Sequence, residues 1–469
     1  MSKQQYDMVI IGAGAGGLIA AGFAVQLGAK VAIIEKDRIG GDCTWTGCVP
    51  SKALLKVAKI ARHVRMASQY GITSTAPEID MTKVRDYVQG AVQQIYQGTT
   101  PEALRAKGID VYLGGARFLD ASKIIAGDTT LHAKHFLVAT GASPVIPEIS
   151  GLGDVPFVTY HQIFDVRDLP RAMIVVGGGP VGAEISQAYQ RLGAQVTIVA
   201  ETLLPKEDED VRELMERVFS GEGIQRVKGR AKAARKEGDL IVVSTGETEA
   251  RGNLLLVAAG RKPNVEGLDL DKAGVKYTNK GIAVDDELRT TVSHIYAAGD
   301  VLGTYEFSHF AGWQAFQAAR NALLPGNSSG KTDIVPWVTF TDPEVAHVGP
   351  AESQARSQFG NELKVGRWPI EKIDRAVCEG DRNGFIKILA KSDGSILGAT
   401  IVGERAGEAI TEVVLAVKHG LKVGDVAGTI HPYPTYSTGV QLLTTEMAIE
   451  KRLSGASGKI IRGLSAIAR

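Results

Sequence analysis

Cysteine is scarce in this chain. Three in 469 residues are too few for the disulfide scaffold of a small secreted protein. The scarcity reads as a reducing, cytoplasmic setting, where a close cysteine pair is catalytic or metal-binding rather than structural. Net charge is almost absent as well: 53 basic residues against 52 acidic leave +1. Nothing there recommends a nucleic acid or an anionic membrane as partner. No apolar run approaches the roughly 18–20 residues that span a bilayer. Residues 1–7 lead directly into an apolar strand and leave no room for a secretory leader. Aromatics are few, at 6%, but 44% of the residues are hydrophobic, which supports several domains with large cores.

Glycine, by contrast, is abundant. The 55 glycines gather in short fingerprints rather than low-complexity tracts. An apolar strand over 6–11 ends in Gly12-Ala-Gly14-Ala-Gly-Gly17; a helical pattern covers 18–27, and a second strand over 30–34 ends in Glu35. In such a unit the first glycine makes the tight turn, the second lets the backbone approach a pyrophosphate, and the third lets helix and strand pack closely. The helix N-terminus faces the phosphates, and Glu35 stands where a carboxylate reaches a ribose hydroxyl. The alternative for any such motif is a merely structural glycine turn. The unit recurs about 165 residues later, as a strand over 172–176, Gly177, Gly179, Gly182, a helix to 192 and a strand over 195–199. Two units imply two dinucleotides and electron transfer between them. Three further segments support FAD at the first unit. A strand from 136 turns at Thr140-Gly141, residues 254–260 echo it up to Gly260, and a strand from 295 ends in Gly299-Asp300. An aspartate at that strand end can accept hydrogen bonds from ribityl hydroxyls.

Between the fingerprints lies Gly40-Gly-Asp42-Cys43-Thr-Trp45-Thr-Gly47-Cys48-Val-Pro50-Ser-Lys52. Cys48 opens a helix through residue 66, and the helix N-terminus with the cation of Lys52 favours thiolate over thiol. On one regular helix two residues five apart point about 140° away from each other. The pair therefore closes only if Cys43 lies ahead of the helix, in the loop. Structural zinc normally needs four ligands, and the chain has no second cysteine pair, so no structural metal is expected. A thiol pair beside a bound dinucleotide reads instead as an electron path from cofactor to disulfide. Lys56, Lys59, Arg62 and Arg65 on the same helix read as a solvated face, or as an attraction for an anionic substrate. From about residue 335 the glycine fingerprints stop. Alternating stretches over 385–389 and 396–401, with helices near 406–419 and 438–451, indicate an antiparallel sheet in an α+β domain suited to dimerisation.

Taken whole, the chain resembles the class I pyridine nucleotide–disulfide oxidoreductases, which include dihydrolipoamide dehydrogenase, glutathione reductase and mercuric reductase. The most specific element is Cys43-x4-Cys48-Val-Pro-Ser-Lys52. The resemblance implies a glutathione reductase-like α/β fold, with two Rossmann-like dinucleotide-binding domains and a C-terminal α+β dimerisation domain. On that pattern residues 1–148 bind FAD and 149–270 bind NAD(P). Residues 271–335 form a central segment completing the FAD domain, and 336–469 the interface domain. It also implies a homodimer whose active sites borrow residues from the partner. FAD would be held at Gly12, Gly14, Gly17, Glu35, Lys52, Thr140, Gly141 and Asp300, and the nicotinamide nucleotide at Gly177, Gly179, Gly182, Glu201 and Gly260. Cys48 becomes the flavin-proximal charge-transfer thiol and Cys43 the interchange thiol. Lys52 pairs with Glu184 beside flavin N5; its alternative is a solvated helix lysine.

Glu201 stands where NADPH-using relatives tend to carry arginine, and four more acids follow Lys206. NADH is expected, with NADPH left open by Lys206. One departure from the family bears on the acceptor. Where disulfide-reducing relatives supply a His–Glu acid–base dyad, this chain has Tyr433 and Thr438. Tyrosine, with an ordinary pKa near 10, carries protons poorly at neutral pH. Mercuric reductases resemble the chain at this position, but their C-terminal cysteine pair is missing here. His431, two residues before Tyr433, reaches the site or is structural. Cys378 reads as a buried core residue, and Trp45 packs at the interface or narrows the approach. The resulting expectation is an FAD-dependent oxidoreductase. Electrons pass from NAD(P)H through FAD and the Cys43–Cys48 disulfide to a thiol-bound metal ion such as Hg(II). The rivals are a dihydrolipoamide dehydrogenase or other disulfide reductase and, more distantly, a non-catalytic sensor binding FAD and NADH.

Overall fold

The strand Val31–Glu35 is buried along its whole length, as a parallel strand covered on both faces must be. It pairs with Gln5–Ile11 on one side and Ile109–Leu113 on the other. Beyond Gln5–Ile11 comes Thr129–Val138, which also carries Ile295–Ala297 in parallel register. The strands Lys123–Ala126 and Ala116–Asp120 extend this sheet as antiparallel neighbours. A second parallel sheet runs in the order Gln225–Lys228, Gln195–Ala200, Ala172–Val176, Leu254–Val257. Each sheet contains one strand–glycine turn–helix unit, with helices Ala15–Gln26 and Pro180–Leu192. The first helix begins three residues ahead of the sequence expectation. Ala15, Gly16 and Gly17 are small enough to start it hard against the turn: a Cβ on Gly17 would land on the carbonyl oxygen of Gly12.

The computed structural model describes residues 5–453, 460, 462–465 and 467. Both parallel sheets belong to one compact unit, Met1–Glu201 with Ile224–Thr332; the second unit is Thr202–Gly223 with Asp333–Arg469. Among the described residues no helix is long and apolar enough to cross a membrane.

The second unit is built on an antiparallel sheet ordered Trp337–Thr339, Glu344–Val348, Ile396–Gly403, Phe385–Lys391, Leu363–Pro369. The helices Ala406–Lys418 and Ser437–Leu453 cover one face, burying Ile386, Ile388, Ile401, Ile410 and Leu443 in a common core. The expected alternation over 385–389 is not realised, since every residue from Phe385 to Ala390 is buried. The reason is a cover on the other face. There the Lys387 side chain, 2% exposed, meets Asp208 at 2.7 Å, Asp210 at 3.0 Å and Glu352 at 3.2 Å. Trp337 donates to Glu207 at 2.7 Å, and burial pushes that carboxyl up to about 7. Three of the four acids that follow Lys206, namely Glu207, Asp208 and Asp210, are thus engaged inside the second unit.

Removing one partner from a buried ion cluster strands the rest, which costs about 3–5 kcal/mol. Lys387→Met is therefore expected to destabilise the second unit by about that amount, read as a lowered urea midpoint. An unchanged midpoint would mean the carboxylates find other partners.

Candidate active site

The two thiols lie on separate helical elements. Cys43 falls in the short helix Gly41–Trp45, and Cys48 begins the helix Cys48–Met66. Cys43 thus precedes the long helix, as expected, but in a helical turn of its own rather than in a loop. The break between them comes at Thr46 and Gly47, which have non-helical backbone angles. Trp45 anchors the turn within its own unit. Its Nε1 donates to the Ile39 carbonyl at 2.8 Å, its ring centroid lies 4.9 Å from that of Tyr96, and Arg38 lies 4.6 Å over its face.

Both cysteines are free thiols, Cys43 half-buried and Cys48 exposed. A hydrogen bond from Cys43 lowers Cys48 to about 6, against the desolvation imposed by the protein packed around its sulfur, and Ser308 and Lys52 add to the lowering. Ser308 Oγ lies 3.4 Å from Cys48 Sγ. The same thiol–thiol bond, with burial, pushes Cys43 far above the usual thiol range. The pair titrates as one system, with its first negative charge on Cys48 and its remaining proton on Cys43. Because a depressed pKa leaves the thiolate present above it, alkylation of Cys48 in the reduced protein is expected to rise with a midpoint near pH 6. Cys43→Ala removes the largest cause of that depression and should move the midpoint upward. An unmoved midpoint would leave Ser308 and Lys52 as the real cause.

One turn into the long helix, Lys52 Nζ binds Glu184 Oε2 at 2.8 Å. Glu184 is buried in the helix Pro180–Leu192. The contact joins residues 132 apart in sequence, so local pattern alone does not reveal it.

The residues present fit the two dinucleotides that the fingerprints imply. Gly12 has φ +102° and Gly177 has φ +123°; added Cβ atoms would strike the carbonyl oxygens of Ala139 and Ala258. A Cβ on Gly182 would strike the Gly177 carbonyl oxygen, whereas the space beside Gly179 is open, so backbone can be approached there. A Cβ on Gly14 meets only Gly41 Cα, at 3.9 Å. Glu35 closes its strand with Oε2 accepting the Ala13 N–H at 2.8 Å and Oε1 the Asp37 N–H at 2.9 Å. Asp300 gives one oxygen to Arg261, while its Oδ1 is buried without a hydrogen-bond partner. Ribityl hydroxyls are donors of the kind such an oxygen requires. Thr140 donates to the Asn264 carbonyl at 2.7 Å, and the Asn264 N–H to the Gly141 carbonyl at 2.9 Å. Gly260 has φ +121° and its carbonyl accepts the Val145 N–H at 2.9 Å. Glu201 is exposed at the end of Gln195–Ala200, with Arg230 Nε 3.7 Å from its carboxylate.

In the second unit Tyr433 is 70% exposed, and its hydroxyl donates to Asp374 Oδ2 at 2.6 Å. That hydrogen bond raises the phenol above its ordinary pKa. The His431 ring is buried, with Nδ1 facing the Thr429 carbonyl at 2.9 Å and Nε2 facing Glu412 Oε1. Both nitrogens already meet acceptors within the chain, which fits a structural brace rather than a proton carrier for substrate. Cys378 corrects the sequence reading. It is exposed, because the short helix Asp374–Glu379 turns Ala376 into the core and Cys378 away from it.

Four neighbours of the site went unread in the sequence. Ser308 carries no local signal. Asp42, Tyr160 and Arg261 form one network: Arg261 donates to Asp300 at 2.6 Å, to Asp42 at 3.1 Å and to the Tyr160 hydroxyl at 3.2 Å. Arg261 does follow Gly260, and Asp42 precedes Cys43, so proximity to motifs was the available clue.

Comparison with known proteins places the chain in one family. Residues 6–321 match the profile of the pyridine nucleotide-disulphide oxidoreductases, and residues 335–443 that of their dimerisation domain. A mercuric reductase of Lysinibacillus sphaericus is 34% identical over 451 residues, covering 94% of this chain and 82% of that protein. A dihydrolipoyl dehydrogenase of Haloferax volcanii is 35% identical over 452 residues, covering 92% and 94%. The Cu(II) complex of the HOCl-induced flavoprotein disulfide reductase RclA from Escherichia coli superposes with a TM-score of 0.85 at 25% identity. That match covers 93% of this chain and 99% of the other.

Proposed function

The chain belongs to the pyridine nucleotide-disulphide oxidoreductase family, and from that premise we propose an FAD- and NADH-dependent enzyme that reduces a thiol-bound soft metal ion such as Hg(II) at Cys43 and Cys48. Gly12, Gly14, Gly17, Glu35, Lys52, Thr140, Gly141 and Asp300 would hold the FAD. Gly177, Gly179, Gly182, Glu201 and Gly260 would hold the nicotinamide nucleotide. The chemistry a bound flavin supplies is two-electron exchange between reduced nicotinamide and a disulfide. Lys52, kept in place by Glu184 at 2.8 Å, brings positive charge to the first turn of the thiol helix, where added electrons need it. Cys48, lowered to about 6, is the sulfur ready to share charge.

The acceptor reading rests on one observation: the candidate acid–base position is Tyr433, a poor base whose hydroxyl already donates to Asp374 at 2.6 Å. Cys43 lies well above the usual thiol range, and Tyr433 is itself raised. Disulfide exchange needs the Cys43 thiolate, hence a base. A soft cation deprotonates the thiol it binds, so a metal substrate removes the need for one. An Hg(II) held by both sulfurs leaves as Hg(0) while the sulfurs close to the disulfide; two electrons pass from sulfur to metal. The mercuric reductase relatives and the Cu(II) complex of RclA support a metal acceptor. We place the enzyme in the cytoplasm as a homodimer, with Tyr433 reaching the partner's thiol pair. Lipoamide is the alternative acceptor.

The NADH preference rests on Glu201. A charge-assisted hydrogen bond gained or lost is about 1.5–3 kcal/mol, so Glu201→Arg is expected to shift kcat/KM toward NADPH by about tenfold to a hundredfold. The redox reading as a whole is tested by mapping alkylated cysteines in the oxidised protein before and after anaerobic NADH. Cys43 and Cys48 should change from blocked to alkylated together. Labelling independent of NADH would refute the reading.

A further inference from the structure

The network around Arg261 joins two places that the proposed chemistry must keep in register. Arg261 begins the strand Arg261–Pro263, which pairs with Ala142–Pro144. Through one nitrogen it binds Asp300 Oδ2 at 2.6 Å, through another Asp42 Oδ2 at 3.1 Å, and through Nε the Tyr160 hydroxyl at 3.2 Å. Tyr160 in turn donates to Asp42 Oδ2 at 2.9 Å, and His161 Nε2 lies 3.6 Å from Asp42 Oδ1. The Arg261 side chain is 21% exposed and that of Asp300 12%, so this arm is largely shielded from solvent, whereas Asp42 is 36% exposed. Asp42 sits inside the helical turn Gly41–Trp45, immediately before Cys43. Asp300 sits just past the strand Ile295–Ala297, with its second oxygen buried and open to a donor. A single guanidinium therefore spans the turn that carries Cys43 and the carboxylate that would receive the flavin's ribityl chain.

We propose that Asp42, Arg261 and Asp300 form a positioning bridge that couples flavin retention to the placement of the Cys43 turn. The inference rests on the functional reading given above. The planar fork of arginine is what allows two carboxylates to be held at once in fixed geometry. A lysine in its place is a point charge on a flexible stem and lacks the planar fork that fixes the two carboxylates in one geometry. Loss of the Asp42 arm frees Arg261 to follow Asp300, or frees the turn to shift, and either change relaxes the geometry offered to FAD.

The test uses the purified FAD-loaded protein and variants Asp42→Asn, Arg261→Lys, Arg261→Gln and Asp42→Asn/Arg261→Gln. Two quantities are measured: the rate of FAD release into filtrate, and the rate of Cys43 alkylation after reduction, with and without FAD. Circular dichroism verifies folding. Asp42→Asn preserves shape and keeps the test usable if the Arg261 variants fold poorly. Coupling between two sites is ordinarily at least about fivefold. Asp42→Asn is expected to speed FAD release by about that factor or more, and to erase the dependence of Cys43 alkylation on FAD. Arg261→Lys should resemble Arg261→Gln, and the double variant should release FAD no faster than Arg261→Gln alone, since residues acting through one another are not additive. FAD release at the wild-type rate from Asp42→Asn, or effects that multiply in the double variant, would overturn the bridge. Failure of the redox reading itself shows elsewhere, as NADH-dependent metal reduction that survives Cys48→Ser.

Discussion

Cys48→Ser is expected to retain FAD and to lose metal-dependent NADH oxidation by at least about a thousandfold, the scale seen when one member of a catalytic unit is removed. Serine keeps the shape of the helix start but forms no disulfide, and its hydroxyl has no thiolate to share at neutral pH. The groups assigned to FAD are elsewhere: Glu35 keeps its bonds to Ala13 and Asp37, and Lys52 keeps Glu184. The variant should therefore purify yellow. Cys43→Ser should be damaged to a similar degree and the double variant scarcely more, because the two sulfurs act as one unit. Full activity in Cys48→Ser would refute the dithiol reading and return the non-catalytic sensor to first place.

Gly177→Val should separate the two nucleotide sites. Gly177 has φ +123°, a region closed to β-branched residues, and any Cβ there strikes the Ala258 carbonyl oxygen. The turn after Ala172–Val176 must move, and with it the N-terminus of Pro180–Leu192. A loss of about 3 kcal/mol in nicotinamide binding is a hundredfold or more in kcat/KM for NADH. FAD should remain bound, because Gly12 and Gly17 lie in the other sheet's turn. Dithionite should still expose Cys43 and Cys48 to alkylation in this variant, whereas NADH should not. If FAD is lost along with NADH turnover, the two turns are not independent.

What could be read from the sequence follows from which constraints are local. The two glycine units were legible because the backbone admits no side chain at Gly12, Gly17, Gly177 or Gly182; such a requirement shows in a short string. The helix starting at Cys48 was legible for a similar reason, since Gly47 and Pro50 punctuate it. The Lys52–Glu184 contact came only through family resemblance, as its partners are 132 residues apart. Arg261 with Asp42, 219 residues apart, had no such aid and was missed. Ser308, 260 residues from Cys48, was missed for the same reason. The role of Asp208 and Asp210 was not legible because they follow Glu201 closely in sequence, whereas their electrostatic partner is the distant Lys387. Cys378 was judged by residue type, which favours burial, but the turn of a six-residue helix decided its exposure.

The most direct measurement is anaerobic NADH consumption by the purified FAD-loaded protein, with an Hg(II)–thiol complex and lipoamide as parallel acceptors. Consumption that follows Hg(II), releases Hg(0) and disappears in Cys48→Ser is the predicted result. Consumption with lipoamide alone, or inhibition by Hg(II) without turnover, would contradict the proposed acceptor.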